Sequence, residues 1–566
     1  MESVLSARNS LGFWKARGVA LGGVALVVGG RLSALLAEWR REWAALGGDR
    51  GWLDLVRVGC VAEGDALRAE GLLAVPGMDR LSWDAERVRL TLARGDEATV
   101  LARLAVRADW IGVGAERGGW SLRLLARVAA PGAVLEAEGL NAGEVGELRR
   151  CGFEIESELG GRIRGRFRVE RERTRERTPE GDDCRGGELG RAVVVGGGLA
   201  GTSVVRALGR RGWAVTLVER HGGVAQEASG NRAGVLAPMM SRDDGRAARL
   251  SRACFGWLLR ELRGLEARGA AVAWRDCGVL QIAKNAREQA AMEAVAADGG
   301  WDREYVRVLS ASEVGRRLGG RFDASAYWFE RGGWVDPASL CAAWLETGGA
   351  VERRFFREAL ECEEAGGEWE VREAGGRVLG RAPVVVLANA MEALRLLPEG
   401  ALRFKRVRGQ VSHLREGAFP GLSCVVCRDG YLTPAVDGMH CVGATYDFDR
   451  VDADLDAPGH GLNVARLAGL LGRAVEEERF RAELEDAGAK GGRVGFRCLT
   501  PDRMPVAGRL PMGRGLVGLL GLGSRGLVWS GLLGELVASG IEGRPPPVER
   551  DLVEAVGAER FGAAGF

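Results

Sequence analysis

The first 168 residues alternate short apolar runs with apolar positions at helical spacing. Runs typical of buried strands lie at residues 24–28, 53–58, 99–104 and 133–140, and helical spacing covers 32–46. Such alternation predicts an α/β layered fold. The run 18–28 follows three basic residues, as in a signal peptide, but glycines close it and it is too short to span a bilayer. We therefore interpret it as a buried strand.

A charged segment divides the chain. From Glu170 to Arg177 nearly every residue is glutamate or arginine, and Thr178, Pro179 and a short acidic stretch follow. This segment has no regular spacing of apolar residues, so we predict a linker or a solvated helix end. A chain of 566 residues also exceeds what one hydrophobic core usually serves. The sequence therefore predicts a domain at 1–168, a linker at 169–190 and a second domain at 191–566.

The second domain opens with a specific turn. A β-branched strand is predicted at 192–195 and a helix at 202–211, and between them stand Gly196, Gly198 and Gly201. This spacing permits a tight turn, a close approach of the backbone to a pyrophosphate, and close packing of helix against strand. A second strand, 214–218, ends at Glu219, whose carboxylate can accept hydrogen bonds from a ribose. Together these features predict a dinucleotide-binding fold.

Composition adds little to this picture. The formal net charge is +2, which neither favours nor excludes nucleic acid. Eleven cysteines at irregular spacing do not make a dense disulfide framework, so a reducing cytoplasm is expected. Cys424 and Cys427 could join His440 and Cys441 in a zinc site, but the surrounding alternation reads as strand, and no metal is expected.

Six segments beyond the turn carry a resemblance to a known family. They are ASGNRAG at 228–234, GGWVDP at 332–337, VRGQVSH at 407–413, DGYLTP at 429–434, RVGFR at 493–497 and GLGSRG at 521–526. In this order they resemble the flavin domain of the bifunctional tRNA 5-methylaminomethyl-2-thiouridine biosynthesis proteins. The resemblance runs from about Ala192 to Phe561. It implies a D-amino-acid-oxidase-like, FAD-binding domain with an inserted antiparallel substrate sheet.

The resemblance also implies a set of site residues. FAD would be held by Gly196, Gly198, Gly201, Glu219, Ser229, Gly230, Asn231, Gly234, Gly409, Gly523, Ser524 and Gly526. The helix predicted at 527–541 would point its amino end at the flavin pyrimidine edge, where negative charge accumulates on reduction. Arg408, Arg497 and Arg525 are equal candidates for a two-point anchor of a substrate carboxylate.

Other side chains near the flavin could assist. Tyr431, and with it Tyr446, could orient the amine or the carboxylate, or could be core residues. His413, which follows a predicted strand, could act as a base, although hydride transfer from a neutral amine needs none. His440 is expected to pack in a strand.

The implied substrate is 5-carboxymethylaminomethyluridine at the wobble position of tRNA. Oxidation between the secondary nitrogen and the carboxymethyl carbon, followed by hydrolysis of the imine, would release glyoxylate and leave 5-aminomethyluridine. The expected partner is therefore tRNA, and no membrane is involved.

The amino-terminal domain resembles the family only faintly. The preceding domain in that family is an S-adenosylmethionine-dependent methyltransferase, and the likeness is best around 83–94, at Trp110, and around 120–132 and 152–165. The family's cofactor loop is reduced to Val-Gly-Gly-Arg at 28–31. The position of the acid after the second strand is occupied by Gly59 or Cys60, and the family's Asp-Gly-Phe-Ala-Pro motif is replaced by Val-Gly-Ala-Glu at 113–116. A small shift of register could instead bring Glu63 or Asp65 to the ribose position.

We therefore expect two domains. The first is a degenerate Rossmann-like methyltransferase domain whose binding of S-adenosylmethionine is doubtful and whose methyl transfer is lost. The second is the FAD-dependent oxidoreductase.

Two alternatives remain open. One is a glycine- or sarcosine-type oxidase of small amines with an unrelated amino-terminal domain. The other is a flavin-stabilised tRNA-binding protein without turnover.

Overall fold

A computed structural model describes residues 22–28, 41, 52–59, 72–73, 75–83, 88–115, 118–168, 190–298 and 301–561. They fall into two compact units. The first contains the described residues up to 168 together with Ala538–Val553, and the second contains 190–537 and 554–561. The bounds of the linker stay a prediction, because residues 169–189 lie outside the described residues. So do Glu63, Asp65 and, except for Arg41, the helix predicted at 32–46.

The first unit contains an eight-stranded sheet. Its strands are β1 (Gly22–Val28), β2 (Trp52–Gly59), β3 (Gly77–Trp83), β4 (Val88–Arg94), β5 (Ala108–Val113), β6 (Ala129–Glu138), β7 (Phe153–Leu159) and β8 (Arg162–Phe167). The described helices of this unit before the linker are α1 (Glu97–Arg103), α2 (Arg123–Val128) and α3 (Ala142–Arg150). The order is β3-β4-β2-β1-β5-β6-β8-β7, and the central five strands are parallel. The strand order reverses at β1, as in Rossmann-like sheets, so the predicted fold class is confirmed.

Three of the four strands predicted in this unit are confirmed as β1, β2 and β6, but the fourth is wrong. Residues 99–104 belong to helix α1 and its carboxyl-terminal cap. Asp96 caps this helix by accepting a hydrogen bond from the Thr99 amide at 2.8 Å. Leu101 and Leu104 are spaced by three and share the buried face. Six residues with four apolar positions fit strand and helix alike, and the capping contact decided for helix.

The described residues of the second unit form four sheets. Its strands are β9 (Arg191–Val195), β10 (Ala214–Val218), β11 (Gly234–Leu236), β12 (Trp274–Arg275), β13 (Val279–Ile282), β14 (Arg307–Leu309), β15 (Ala326–Phe329), β16 (Gly333–Val335), β17 (Val351–Arg354), β18 (Glu361–Ala365), β19 (Glu368–Arg372), β20 (Val378–Ala382), β21 (Val384–Leu387), β22 (Lys405–Arg415), β23 (Val425–Cys427), β24 (Tyr431–Leu432), β25 (Met439–Gly443), β26 (Gly492–Leu499), β27 (Val506–Arg509) and β28 (Leu516–Leu520).

The helices that begin in the second unit surround these sheets. They are α4 (Leu199–Gly209), α5 (Arg246–Ala267), α6 (Ala286–Asp298), α7 (Ala311–Leu318), α8 (Pro337–Thr347), α9 (Ala457–Ala465), α10 (Leu467–Leu471), α11 (Glu477–Ala487) and α12 (Gly526–Ile541). A last helix, α13 (Arg550–Val556), follows. No helix within the described ranges is both long enough and apolar enough to cross a bilayer.

Two sheets of this unit position the site. The first, in the order β17-β10-β9-β21-β28-β27, is parallel apart from β27. It contains the predicted strands 192–195 and 214–218 as β9 and β10. The helix predicted at 202–211 begins earlier, at Leu199, because Gly198 is its N-cap.

The second is the inserted substrate sheet, in the order β14-β15-β13-β23-β24-β25-β22-β26. Its pairs are antiparallel as expected, except that β13 and β23 run parallel.

Candidate active site

The turn after β9 has the geometry of a phosphate-binding turn. Gly196 has φ +107°, a conformation that side chains rarely adopt. A Cβ on Gly201 would lie 1.8 Å from the Gly196 carbonyl oxygen, so the helix can pack onto the turn only without a side chain there. Both glycines are therefore required by the backbone.

The amino terminus of α4 faces a neighbouring loop. Gly198 caps the helix without a side-chain contact, and Ser229 Oγ accepts a hydrogen bond from the Leu199 amide at 3.1 Å. A Cβ on Gly198 would lie 3.0 Å from the same oxygen. Backbone N–H groups and the positive end of the helix dipole meet here, which suits a pyrophosphate.

Glu219 ends β10 beside this turn. The side chain is buried, and its carboxylate accepts hydrogen bonds from the Gly197 amide at 2.6 Å and the His221 amide at 2.8 Å. The carboxylate is thus held at the edge of the turn, where the ribose of a dinucleotide would lie. Turn, helix terminus and acid fit FAD.

Sequence reasoning missed the residue that holds the loop over this turn. The Arg493 guanidinium donates to the carbonyl oxygen of Gly230 at 2.8 Å and of Gln226 at 2.6 Å, and also to that of Glu227. A Cβ on Gly230 would lie 2.2 Å from Arg493 Nη1, so the glycine makes room for the arginine. Burial lowers the pKa of Arg493. The only sequence signal was its place in the matched segment RVGFR.

The start of α12 lies beside the start of α4. A Cβ on Gly526 would lie 3.8 Å from Leu199 Cδ1, and one on Gly234 would lie 2.8 Å from Leu527 Cδ2. The turn before α12 is a 3-10 helix, Gly523–Arg525, in which Gly523 has φ +58°. The glycines predicted at 234, 523 and 526 therefore adjoin the dinucleotide turn.

The other cofactor candidates lie around these elements. Asn231 is half-buried at the end of the loop that Arg493 holds, and Ser524 is exposed in the turn before α12. Gly409 lies in β22, and a Cβ there would lie 2.3 Å from Arg497 Nη1.

One face of the substrate sheet gathers three chemical groups. Tyr431 stands opposite Cys427 on β23 and opposite Gly443 on β25, so these positions share a face. Gly443 in turn pairs with Val411, and two residues along β22 lies Gly409. Strand periodicity places Arg497, which pairs with Val407, on this same face. We call Cys427, Tyr431 and Arg497 the site face.

Burial perturbs every group on the site face. It raises the pKa of Tyr431 well above its ordinary value, which Arg497 opposes, and it raises the pKa of Cys427 to about 12. Burial likewise lowers the pKa of Arg497, which is half-buried and donates to the Thr445 carbonyl oxygen at 3.1 Å. The phenol and the thiol therefore keep their protons at neutral pH.

Arg525 approaches the site face from the start of α12. Its side chain reaches solvent, yet burial lowers its pKa, and the nearby Cys427 opposes that shift. Among the described residues no hydrogen-bond acceptor contacts its guanidinium, so its donors are available to a ligand.

Arg408 lies on the opposite face. It pairs with Phe496, the neighbour of Arg497, so the two arginines project from the two sides of the sheet. Arg408 is 2% exposed and donates to the Asp452 carbonyl oxygen at 3.0 Å and to Asp456 Oδ2 at 3.1 Å. The structure thus brings Arg497, Arg525 and Tyr431 together and directs Arg408 to a loop.

His413 and His440 are both buried within strands of the substrate sheet. His413 lies inside β22 rather than after a strand, and is buried. His440 is buried in β25, and its two ring nitrogens lie 2.9 and 3.1 Å from the carbonyl oxygens of Thr433 and Glu416. Within the described part of the chain no three histidine, cysteine or acidic side chains form a cluster that could hold a metal.

In the first unit, a buried arginine lies beside Gly59, a position at which a ribose-binding acid is expected. Gly59 ends β2, and a Cβ there would lie 2.9 Å from Nη1 of the buried Arg57. Val28 and Val113 end the two strands at the switch point, and both are fully buried. Residues 29–31, Cys60 and Glu116 lie outside the described residues.

Comparisons with known proteins agree with this geometry. The FAD dependent oxidoreductase family matches residues 191–539. The tRNA 5-methylaminomethyl-2-thiouridine biosynthesis bifunctional protein MnmC of Paraburkholderia phytofirmans is 39% identical over 528 residues, which cover 86% of this chain and 79% of that relative.

Solved structures share the fold of the second unit. Glycine oxidase from Bacillus cereus has a TM-score of 0.53 and 20% identity, over 65% of this chain and 98% of that one. Iminodiacetate oxidase from Chelativorans sp. BNC1 has a TM-score of 0.50 and 27% identity, over 63% of this chain and 96% of that one.

The motif resemblance is confirmed by these matches. The chain belongs to the family of the tRNA 5-methylaminomethyl-2-thiouridine biosynthesis bifunctional proteins, and its residues 191–539 belong to the FAD-dependent oxidoreductases.

Proposed function

We propose that the chain removes the carboxymethyl group from 5-carboxymethylaminomethyluridine at the tRNA wobble position by FAD-dependent oxidation, leaving 5-aminomethyluridine. The observation that carries this proposal is the pair Arg497 and Arg525, two guanidinium groups near Tyr431 and Cys427 on one face of a sheet, beside the start of α12 and the dinucleotide turn. A carboxylate-bearing amine matches that arrangement, and the family's printed name supports tRNA as its carrier.

FAD held at Gly196, Gly198, Gly201 and Glu219 supplies the two-electron acceptor. The remaining work falls to residues of the chain. Ser229, Gly230 and Asn231 lie in the loop beside the start of α4, and Gly234, Gly523, Ser524 and Gly526 surround the start of α12. The dipole of α12 favours negative charge at its amino end.

The substrate is oxidised at the carbon next to its carboxylate. That carbon gives up a hydride and the secondary nitrogen a proton, which leaves a carbon–nitrogen double bond. Water adds to this imine, the bond between nitrogen and carbon breaks, and the products are glyoxylate and the primary amine of 5-aminomethyluridine. Two electrons leave the substrate, and no acyl or phosphoryl group moves.

The arginines have different roles in this proposal. Arg497 and Arg525 bind the carboxylate, because their guanidinium groups lie at the site face. Arg408 instead holds the loop 452–456 from the other side of the sheet. Gly409 leaves room for Arg497. Tyr431 keeps its proton and donates a hydrogen bond to the carboxylate or to the amine.

The likeness to iminodiacetate oxidase supports a secondary amine as substrate. Iminodiacetate carries two carboxymethyl groups on one secondary nitrogen, and the wobble side chain carries one such group.

The first unit is proposed to be a scaffold without methyl transfer. The cationic Arg57 lies beside Gly59, one of the two positions at which the family would place an acid, and apolar Val28 and Val113 end the strands at the switch point. An adenosylmethionine site needs an acceptor for the ribose and tolerates little added positive charge.

The decisive experiment is anaerobic reduction of the bound flavin, followed by absorbance. tRNA carrying 5-carboxymethylaminomethyluridine should bleach the flavin, release glyoxylate and yield 5-aminomethyluridine by mass spectrometry of nucleosides. The same tRNA lacking the modification is the control.

Two outcomes would contradict the proposal. Reduction by glycine or sarcosine at ordinary concentrations, with modified tRNA inert, would identify a small-amine oxidase. Binding of modified tRNA without bleaching would identify a flavin-stabilised binding protein.

A further inference from the structure

Two aromatic side chains in contact are exposed on one loop of the second unit. Tyr446 is 43% exposed and Phe448 is 52% exposed, and both lie between β25 and α9. Their ring centroids are 5.3 Å apart at an interplanar angle of 73°. Large aromatic rings are normally buried, because burial removes much apolar area from water. We call Tyr446 and Phe448 the aromatic pair.

Hydrogen bonds hold the backbone beneath the aromatic pair. The Arg408 amide donates to the Asp447 carbonyl oxygen at 2.8 Å, and the Asp447 amide donates to the Arg408 carbonyl oxygen at 3.0 Å. The Arg408 guanidinium fixes the rest of the loop through Asp452 and Asp456. The rings are therefore presented by an ordered backbone, so a ligand that stacks on them loses little entropy in ordering them.

The aromatic pair adjoins the site face. The Arg497 guanidinium carbon lies 5.3 Å from the centre of the Tyr446 ring, and Arg497 Nη1 donates to the Thr445 carbonyl oxygen. A substrate whose carboxylate reaches Arg497 therefore has its neighbouring groups over the aromatic pair.

The charge around the pair selects the type of ligand. Asp449 and Asp454 are exposed on the same loop, while its cation Arg450 is paired with Asp452 and Asp456, so the loop carries an excess of negative charge that repels phosphate. A flat, uncharged group can still stack on an aromatic face. This combination favours a nucleobase over the phosphodiester backbone.

We infer that the aromatic pair is a stacking platform for the nucleobase next to the modified uridine. The inference rests on the proposed function. A uridine whose side chain enters a crevice must leave the stack of the anticodon loop, and its neighbour then loses a stacking partner. Tyr446 and Phe448 replace that partner.

Phe448 gives the cleaner test, because Tyr446 also contacts Arg497. Phe448→Leu keeps an apolar side chain but removes the ring, and Phe448→Tyr restores a ring. Val451→Ala is the matched control, since Val451 is 71% exposed on the same loop and has no ring. The substrates are tRNA carrying 5-carboxymethylaminomethyluridine and the same modified nucleoside alone.

Phe448→Leu should raise by about tenfold the concentration of modified tRNA that half-saturates anaerobic flavin reduction, because one base–ring stack is lost. Reduction by the free nucleoside, which has no neighbouring base, should not change. Phe448→Tyr and Val451→Ala should behave as the wild type. An unchanged half-saturating tRNA concentration in Phe448→Leu, or an equal loss with the free nucleoside, would overturn the platform.

A second readout does not need turnover. 2-Aminopurine placed on either side of the modified uridine should be quenched when tRNA binds the wild type, and the quenching should be lost in Phe448→Leu but kept in Phe448→Tyr. If the wild type binds tRNA but its flavin is not reduced, the proposed function fails and this quenching alone decides the platform. A wild type that binds no tRNA overturns both.

Discussion

At the scale of single residues, Arg497 and Arg525 carry the proposed substrate anchor. Substitution of either by Met should slow flavin reduction by modified tRNA tenfold to a hundredfold or more, since losing a desolvated charge pair costs about 2–5 kcal/mol. FAD should stay bound. Anaerobic stopped-flow absorbance measures the rate, and Arg403→Met, at an exposed site, is the control. If both variants reduce at the wild-type rate, the anchor lies elsewhere.

Tyr431 gives a prediction about pH. Burial raises its folded-state pKa above the ordinary value of about 10, so the neutral phenol persists to higher pH than in a free tyrosine. Tyr431→Phe should therefore lower the reduction rate about tenfold or more, as expected for a lost hydrogen bond to a charged group. The shape of its pH profile below about 10 should match the wild type. A basic limb below that pH that disappears in Tyr431→Phe would show that the phenol ionises in the working range.

At the scale of elements, one arginine joins β26 to the loop over the dinucleotide turn. Arg493→Met removes three hydrogen bonds to backbone carbonyls, so the loop that carries Ser229 should loosen. We expect FAD affinity to fall about tenfold or more, since each such charged hydrogen bond contributes about 1.5–3 kcal/mol. Fluorescence titration of the FAD-free protein measures this.

The controls for this prediction come from the same unit. Gly230→Ala should have a similar effect, because its Cβ would lie 2.2 Å from Arg493 Nη1. Arg479→Met, at an exposed position of α11, should bind FAD as the wild type does. Unchanged FAD affinity in Arg493→Met would mean that the loop is held by other contacts.

A buried ion-pair network joins α4 to two neighbouring helices. Arg206 donates to Glu261 of α5 at 2.6 Å and to Glu535 of α12 at 2.9 Å, and all three side chains are buried. Arg206→Met would leave two carboxylates buried without this partner, so unfolding should become easier by about 3–5 kcal/mol. Urea unfolding at fixed FAD concentration measures the change.

An exposed ion pair provides the comparison for Arg206. Arg354 pairs with Glu352 at 2.7 Å at the surface, and Arg354→Met should cost about 1 kcal/mol at most. Equal urea midpoints of unfolding for the Arg206 and Arg354 variants would mean that the buried network contributes no more to the free energy of unfolding than a surface ion pair does.

At the scale of the whole molecule, the two units are proposed to differ in activity. The protein should not bind S-adenosylmethionine at micromolar concentration, because Arg57 lies beside Gly59 at the ribose position. A misplacement of about 1 Å can already cost a hundredfold in methyl transfer. Calorimetric titration measures the binding. Micromolar binding, together with label transferred from the cofactor to 5-aminomethyluridine-containing tRNA, would show that the chain is still bifunctional.

The sequence by itself determined the features that depend on local chemistry. Gly196, Gly198, Gly201 and Glu219 identified the dinucleotide fold, because the turn needs glycine at fixed offsets from strand and helix. The ordered motifs identified the family, which the comparisons confirm. The same dependence on local pattern explains the error at residues 99–104, where six residues with only four apolar positions fit both periodicities and the cap at Asp96 decided for helix.

Only the tertiary structure decided which side chains meet. Arg408 and Arg497 looked equivalent in sequence, but the register of β22 against β26 sends them to opposite faces. Arg493 and Gly230 are 263 residues apart and became partners through the fold alone. Tyr446 was a candidate for orienting the substrate or for the core, and only the structure shows that it is exposed on a loop beside Arg497 and in contact with Phe448. The physical reason is that a local pattern fixes backbone conformation and periodicity, whereas register and long-range packing fix which groups share a face.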